Sequence, residues 1–181
     1  MKVFFYIILC ISIIFVSIFS VNIVYGFMFP MKYKDIILAY SKEYNVKAEL
    51  IASVINVESG YDKYALSNKG AKGLMQLMPT TAYWLANKLG IEIKEEDLFN
   101  EEINIKLGSY YLSYLINKFD DKSSAIASYN AGPSVVNKWL CNKNYSKDGI
   151  VLNEIPYRET RDYLKKIDRN LKYYFNKYNN I

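Results

Sequence analysis

The first thirty residues carry almost only apolar side chains. No charged residue occurs between Val3 and Met31, and a run of this length can cross the roughly 30 Å hydrocarbon core of a bilayer as one helix. A cleaved signal peptide is the alternative, because Val24-Tyr25-Gly26 places small residues near a plausible cleavage point. We therefore predict that residues 1–30 form a transmembrane anchor or a signal peptide. Either would place residues 31–181 outside the cytoplasm, anchored to the membrane by a single span or secreted to the cell wall.

Beyond residue 30, apolar residues recur three and four positions apart, which is the spacing of amphipathic helices. No segment alternates like a β-strand, and residues 142–155 lack periodicity and are predicted to be a surface loop. Gly60 is expected to end the second helix. The sequence thus predicts an all-α fold with a single domain over residues 31–181. The predicted helices cover residues 34–44, 45–59, 79–90, 100–119, 123–129, 134–141 and 157–178.

Composition narrows the possible chemistry. Of 181 residues, 51% are hydrophobic and 23% are charged, which excludes a disordered chain. The sequence has no histidine, so Ser-His and Cys-His nucleophile pairs are excluded. Cys10 and Cys141 are too few for a disulfide framework or a thiolate zinc cluster. The net charge of +5 favours an anionic surrounding, such as a wall polymer or a lipid surface, without indicating nucleic acid. We expect no metal and no cofactor.

Glu58 is a carboxylate at a helix position where the apolar pattern would place an apolar side chain. It continues the apolar stripe of Ile51, Val54 and Ile55 on the second predicted helix. Burial and the helix dipole in the last turn both disfavour its ionised form, so both raise its pKa. A carboxyl group partly protonated near neutral pH suits a general acid for glycosidic cleavage. A glutamate at the helix edge that reaches water or pairs with a lysine fits the periodicity equally well.

Four blocks of sequence place Glu58 in a wider pattern. They are ESGYDKYALSNKGAKGLMQLMPTTA at 58–82, Asn104 with LGSYYL at 107–112, ASYNAGP at 127–133, and IPYRET with Tyr163 from 155 onward. In this order and spacing, they resemble the soluble lytic transglycosylase family, which has a goose-type lysozyme-like fold. The resemblance spans about residues 35–178.

The resemblance implies a reaction and a catalytic residue. Glu58 would be the sole acid and base in cleaving the β-1,4 bond between N-acetylmuramic acid and N-acetylglucosamine of peptidoglycan. The sugar's own 6-hydroxyl would attack the anomeric carbon and close a 1,6-anhydro ring, with no water consumed. The expected partners are peptidoglycan strands and, through the N-terminal segment, the membrane. We expect a monomer that does not bind nucleic acid.

The resemblance also places seven further residues at the substrate. Some have simpler alternatives: Ser67 and Asn130 as turn caps, and Glu159 as a first-turn acid that complements the helix dipole. Leu74, Leu77 and Met78 are expected in the core. The seven residues are Ser67, Met75, Gln76, Tyr129, Asn130, Glu159 and Tyr163.

Two other functions compete with this one. Asp62 lies four positions after Glu58, and a second carboxylate would support lysozyme-type hydrolysis, in which it activates water or stabilises an intermediate. The resemblance instead places Asp62 in a turn. A non-catalytic wall-binding module is the third possibility, and the usual sign of it would be loss of the catalytic glutamate.

Overall fold

The computed structural model describes residues 2–30 and 32–178, and the chain divides into the compact units Met1–Pro30 and Met31–Ile181. The first unit contains helix α1, Lys2–Met28. Its stretch Leu9–Met28 has a mean hydropathy of 2.2, and none of it is buried. This helix is long and apolar enough to cross a membrane, and a signal sequence has the same properties, so the anchor and the signal peptide both stay predictions.

The regular secondary structure of the second unit is helical over its described residues. Between residues 32 and 178 the backbone forms no strand, and its only β-type pairings are isolated bridges from Lys72 to Leu66 and to Leu77. The predicted all-α class is therefore confirmed. The helices are α2 (Lys34–Tyr44), α3 (Ala48–Ser59), α4 (Pro79–Leu89), a 3-10 helix (Glu95–Phe99), α5 (Glu101–Lys118), α6 (Lys122–Ala131), α7 (Pro133–Leu140) and α8 (Arg158–Tyr178).

Local chemistry explains where the helices begin and end. Gly60 follows α3 in the left-handed conformation at φ 60°, as predicted. The Asn100 side chain accepts hydrogen bonds from the N–H groups of Glu102 and Ile103 and so caps α5. The largest difference from the predicted bounds is in α3, which begins at Ala48 rather than residue 45, because Asn45 takes the left-handed conformation that ends α2. The bounds of α5, α6, α7 and α8 differ from the predicted ones by one or two residues.

Helix α3 lies at the centre of the second unit. Its residues Ile51, Val54 and Ile55 are fully buried, and the helix packs chiefly against α8 and also against α2 and α5. Fully burying a side chain of this size contributes about 1.5–3 kcal/mol. The packing of α3 against α8 fixes the end of α3, where Glu58 lies, next to the first turns of α8.

Candidate active site

Glu58 lies in the last turn of α3 and lines a cleft of about 370 Å³. The cleft walls come from three parts of the chain: the loop between α3 and α4, the end of α6 and the start of α8. The lining residues are Glu58, Ser67, Asn68, Lys69, Ala71, Gln76, Met78, Tyr129, Asn130 and Glu159.

The surroundings of Glu58 favour its protonated form. The pKa of this carboxyl is raised from 4.5 to about 7, chiefly by burial and to a smaller extent by the negative charge of Glu159. The Tyr163 hydroxyl and the positive charge of Lys166 act against this increase by stabilising the ionised form. Near neutral pH, Glu58 can therefore hold or release its proton at little cost in free energy.

Two tyrosines lie close to the Glu58 carboxyl. Burial and the negative charge of Glu58 hold the pKa of Tyr129 and of Tyr163 well above 10, so both hydroxyls stay protonated. Tyr129 donates a hydrogen bond of 2.9 Å to the carbonyl of Met75. The Tyr163 hydroxyl is buried and interacts electrostatically with Glu58, but it does not reach full hydrogen-bonding geometry with any described residue. Tyr163 thus lies beside the carboxyl rather than among the residues that line the open cleft.

Hydrogen bonds within the α3–α4 loop hold its cleft-lining side chains. The Ser67 hydroxyl accepts a bond of 2.9 Å from the Ala71 N–H, which is the turn-capping role that the sequence left open. Ser67 also lines the cleft. The Gln76 amide nitrogen donates to the carbonyls of Ala65 and Gly73 at 3.1 and 3.0 Å. These bonds fix the Gln76 side chain at the cleft wall.

Asn104 on α5 fixes the same loop through hydrogen bonds to backbone groups. This buried side chain accepts a bond of 2.7 Å from the Met75 N–H and donates to the carbonyls of Lys72 and Leu98 at 3.0 and 2.8 Å. Gly73 is in the left-handed region at φ 74°, and a Cβ there would collide with Leu98 and Asn104. Asn104 therefore holds in place the loop that carries Gln76.

The prediction that Met75 faces the cleft is wrong. Its side chain is fully buried and packs so closely on Gly108 that a Cβ at this glycine would collide with the Met75 sulfur. Met78, which was expected in the core, instead lines the cleft and is 39% exposed. Met78 directly precedes Pro79 and has the extended backbone that is favoured before a proline.

The end of α6 meets the start of α8 beside the cleft. Asn130 accepts a hydrogen bond of 2.8 Å from the Thr160 hydroxyl, so its side-chain oxygen joins the two helices rather than capping its own turn. Glu159, in the first turn of α8, lies 4.0 Å from the Lys69 ammonium, and both side chains are largely exposed. Lys69 and its neighbour Asn68 were not predicted at the site.

The structure brings six predicted residues together at the cleft: Glu58, Ser67, Gln76, Tyr129, Asn130 and Glu159. It leaves Asp62 outside the cleft lining. Asp62 is exposed and accepts a hydrogen bond of 2.9 Å from the Tyr64 N–H, as expected of a residue that stabilises a turn.

Comparisons with known proteins agree with this architecture. The transglycosylase SLT domain family model matches residues 35–152. The soluble lytic murein transglycosylase of Salmonella typhimurium is 34% identical over 143 residues, which cover 77% of this chain and 22% of that protein. The membrane-bound lytic murein transglycosylase E of Buchnera aphidicola is 30% identical over 154 residues, covering 78% of this chain and 68% of that protein.

A solved structure shares the fold. An inactive mutant of lytic transglycosylase Slt from Pseudomonas aeruginosa aligns with a TM-score of 0.74 and 32% identity, covering 83% of this chain and 25% of that one. The chain thus spans about a fifth to a quarter of the length of the Salmonella typhimurium and Pseudomonas aeruginosa proteins. The resemblance found in the four sequence blocks is confirmed, and by the family-model match and the shared fold the chain belongs to the transglycosylase SLT domain family.

Proposed function

We propose that this protein is a peptidoglycan lytic transglycosylase with Glu58 as its single catalytic acid and base. The observation that carries the proposal is the environment of Glu58, a carboxyl with a pKa of about 7 that lines a cleft among hydroxyl, amide and aromatic side chains. The Pseudomonas aeruginosa relative supports it, because that inactive mutant carries glutamine in place of a glutamate.

One carboxyl serves both steps of this reaction. In the first, protonated Glu58 donates its proton to the bridging oxygen as the bond from the anomeric carbon to that oxygen breaks. In the second, ionised Glu58 removes the proton of the muramic acid 6-hydroxyl as this oxygen bonds to the anomeric carbon. The glutamate ends as it began, protonated, and no water is consumed. A pKa near the working pH suits a group that must give and then take a proton.

The neighbours of Glu58 suit the intermediate state. After the first step the carboxylate is negative in a largely buried place, and the Tyr163 hydroxyl and Lys166 stabilise that form. The developing positive charge on the sugar faces this carboxylate, and electrostatic stabilisation of this kind is strong where water is excluded. Ser67, Gln76 and Asn130 offer neutral polar groups along the cleft for the N-acetyl and hydroxyl groups of the strand.

We also propose that residues 1–30 hold the enzyme at a membrane. The apolar helix α1 supports an anchor on the outer face of the cytoplasmic membrane, and some relatives are named membrane-bound. Fractionation of cells that express the full-length protein tests this. We expect the protein in the membrane fraction, and a soluble product that begins near Phe27 would show a cleaved signal peptide instead.

Lysozyme-type hydrolysis is the second candidate, and one observation favours it. Glu159 is a second carboxylate lining the same cleft, whereas Asp62 is not at the cleft. Glu159 is largely exposed and lies near Lys69, which suits contact with the substrate better than activation of a sequestered water. Replacing Glu159 by glutamine separates the candidates, because a hydrolase that depends on Glu159 would lose turnover while a transglycosylase would keep the bond-breaking step.

The catalytic role of Glu58 is tested on purified sacculi with the full chain in detergent. Glu58→Gln keeps the shape and the hydrogen bonding of the side chain but removes the transferable proton. We expect a loss of about 10³- to 10⁴-fold in the rate of turbidity decrease. Asp62→Asn is the matched control and should change the rate little, because it alters an acid in a turn outside the cleft. Near-wild-type lysis by a folded Glu58→Gln protein would refute the assignment.

A further inference from the structure

Helix α8 carries most of the positive charge of the chain. It has seven basic and three acidic side chains, a net charge of +4, whereas the whole chain has a net charge of +5. Basic and acidic side chains balance in the part of α8 before Lys165. From Lys165 to Lys177, five basic side chains accompany a single acidic one, Asp168. The charge is therefore concentrated on the part of α8 that lies beyond the catalytic cleft.

Three of these basic side chains lie on the outer face of α8. Lys165, Arg169 and Lys172 follow one another at intervals of four and three positions, which places them on one side of the helix. All three are exposed. Ile167 and Tyr174 lie on the opposite side and are fully buried, as α8 packs against α3 and α6. The basic face therefore points away from the core.

Little within the described part of the chain neutralises this face. Arg169 and Lys172 form no ion pair with any residue that the structure describes. Lys165 lies 3.9 Å from Asp162, but its side chain is 79% exposed, so this pair is weak in water. Phe175, one turn beyond Lys172, is 51% exposed at the edge of the face. The face thus offers cations and an aromatic side chain to an external partner.

The exposed phenylalanine favours a lipid surface over an anionic wall polymer. Phosphate groups of either would attract the basic side chains. A bilayer also has an apolar layer just below its headgroups that an aromatic side chain such as Phe175 can enter, whereas a hydrated polymer has none. The anchor proposed for residues 1–30 would keep the chain at such a bilayer.

We propose that the outer face of α8, from Lys165 to Lys177, docks onto the anionic phospholipid headgroups of the membrane. Glu159 at the cleft and Arg169 on this face are ten residues apart, which is about 15 Å along the helix. Docking therefore holds the cleft near the bilayer, where it reaches the glycan strands closest to the membrane. This inference goes beyond the proposed function, because binding to lipid does not involve Glu58.

Quenching of a fluorophore by nitroxide-labelled lipid headgroups tests docking with the full chain in vesicles. The fluorophore is attached at Asn176→Cys, an exposed position on the basic face, after serine has replaced Cys10 and Cys141. A label at Tyr83→Cys on α4 is the matched control, because Tyr83 is also exposed. We expect quenching at position 176, but not at 83, to be severalfold stronger when the vesicles contain phosphatidylglycerol than with phosphatidylcholine alone. About 1 M salt should abolish the difference, because it screens charges beyond about 3 Å.

Glutamine substitutions identify the residues that dock. Each basic residue near an anionic leaflet strengthens binding about fivefold, so three substitutions on the face should weaken docking roughly 100-fold. This variant carries Lys165→Gln, Arg169→Gln and Lys172→Gln. A control variant with the same change in net charge on α4, α5 and α7 should keep the quenching. It carries Lys88→Gln, Lys118→Gln and Lys138→Gln, all at exposed positions. Both variants should unfold at the wild-type urea concentration, because glutamine has nearly the helix propensity of lysine and arginine.

Several outcomes would overturn the inference. Equal quenching in the two kinds of vesicle would show that the face does not select anionic lipid. Equal losses in both triple variants would show that net charge matters rather than this face. Binding of soluble polyphosphate without quenching by lipid would assign the face to a wall polymer. If the α8 triple variant unfolds more readily than the wild type, Lys172→Gln alone decides, and docking as tight as in the wild type would refute the proposal. Cleavage of lipid-free sacculi is a separate measurement, so failure of the proposed function is seen independently of docking.

Discussion

The burial of Glu58 predicts that the Glu58→Gln protein is more stable than the wild type above about pH 4.5, with the full gain at neutral and alkaline pH. In the unfolded chain this carboxyl ionises near 4.5, whereas in the folded protein it ionises near 7. Between these values the folded protein keeps a proton that the unfolded chain has lost, so the free energy of unfolding falls as the pH rises from 4.5 to 7. Glutamine has no proton to lose and escapes this penalty.

The size of the effect follows from the same two pKa values. At about 1.4 kcal/mol for each tenfold change in proton affinity, the difference between 4.5 and about 7 corresponds to about 3 kcal/mol. Because the cleft leaves the carboxyl partly open to water, we expect Glu58→Gln to gain about 2 kcal/mol at pH 8. At pH 4.5 and below the gain should approach zero, since the wild-type carboxyl is then neutral in both states.

Urea denaturation in detergent measures this difference. Emission from Trp84 and Trp139 reports unfolding, because both tryptophans lie in the helical unit that contains the cleft. Glu159→Gln is the matched control, as it removes a largely exposed carboxylate from the same cleft and should leave stability nearly unchanged. A Glu58→Gln gain that is equal at pH 4.5 and pH 8 would refute the claim that burial of charge raises this pKa.

Further predictions concern the pH profile and the support of the cleft. The rate of sacculus lysis should fall about tenfold per pH unit above about 7, because only protonated Glu58 begins the reaction. Lys166→Gln should shift this decrease in rate to higher pH, because Lys166 lowers the pKa of Glu58, and Glu159→Gln should shift it to lower pH, because Glu159 raises that pKa. Coinciding pH–rate profiles of the wild type and the two variants would contradict this. Asn104→Ala should lower the free energy of unfolding by about 2–4 kcal/mol in urea denaturation, because it leaves three backbone groups without their partner. Gly108→Ala should cost about 1–3 kcal/mol in the same measurement by collision with Met75, and wild-type stability would contradict that packing.

Much of the fold was predictable because it depends on local patterns. Helix α2 matches its predicted bounds, and α4 ends before Gly90 as expected, since periodicity and glycine caps act within a few residues. Glu58 was predictable for the same reason, as it continues an apolar stripe on one helix. The 3-10 helix Glu95–Phe99 was missed, because its short polar segment has no periodicity.

The orientation of side chains in the α3–α4 loop could not be predicted from the sequence. Met75 and Met78 are chemically alike, and in a segment with a left-handed Gln76 no regular period tells which of them faces outward. The burial of Met75 depends on Asn104 and Gly108, about thirty residues away along the chain. Such contacts are set by the packing of α5 against the loop rather than by local preference. The sequence blocks therefore indicated that both methionines belong to the loop at the site, but not which of them faces the cleft.

Mass spectrometry of the fragments that the full-length protein releases from purified sacculi tests the central claim most directly. If Glu58 acts alone as acid and base, the fragments end in 1,6-anhydro-N-acetylmuramic acid, which is lighter by one water than the hydrolysed end. Fragments that carry only reducing ends would contradict the transglycosylase mechanism and show that water is the nucleophile.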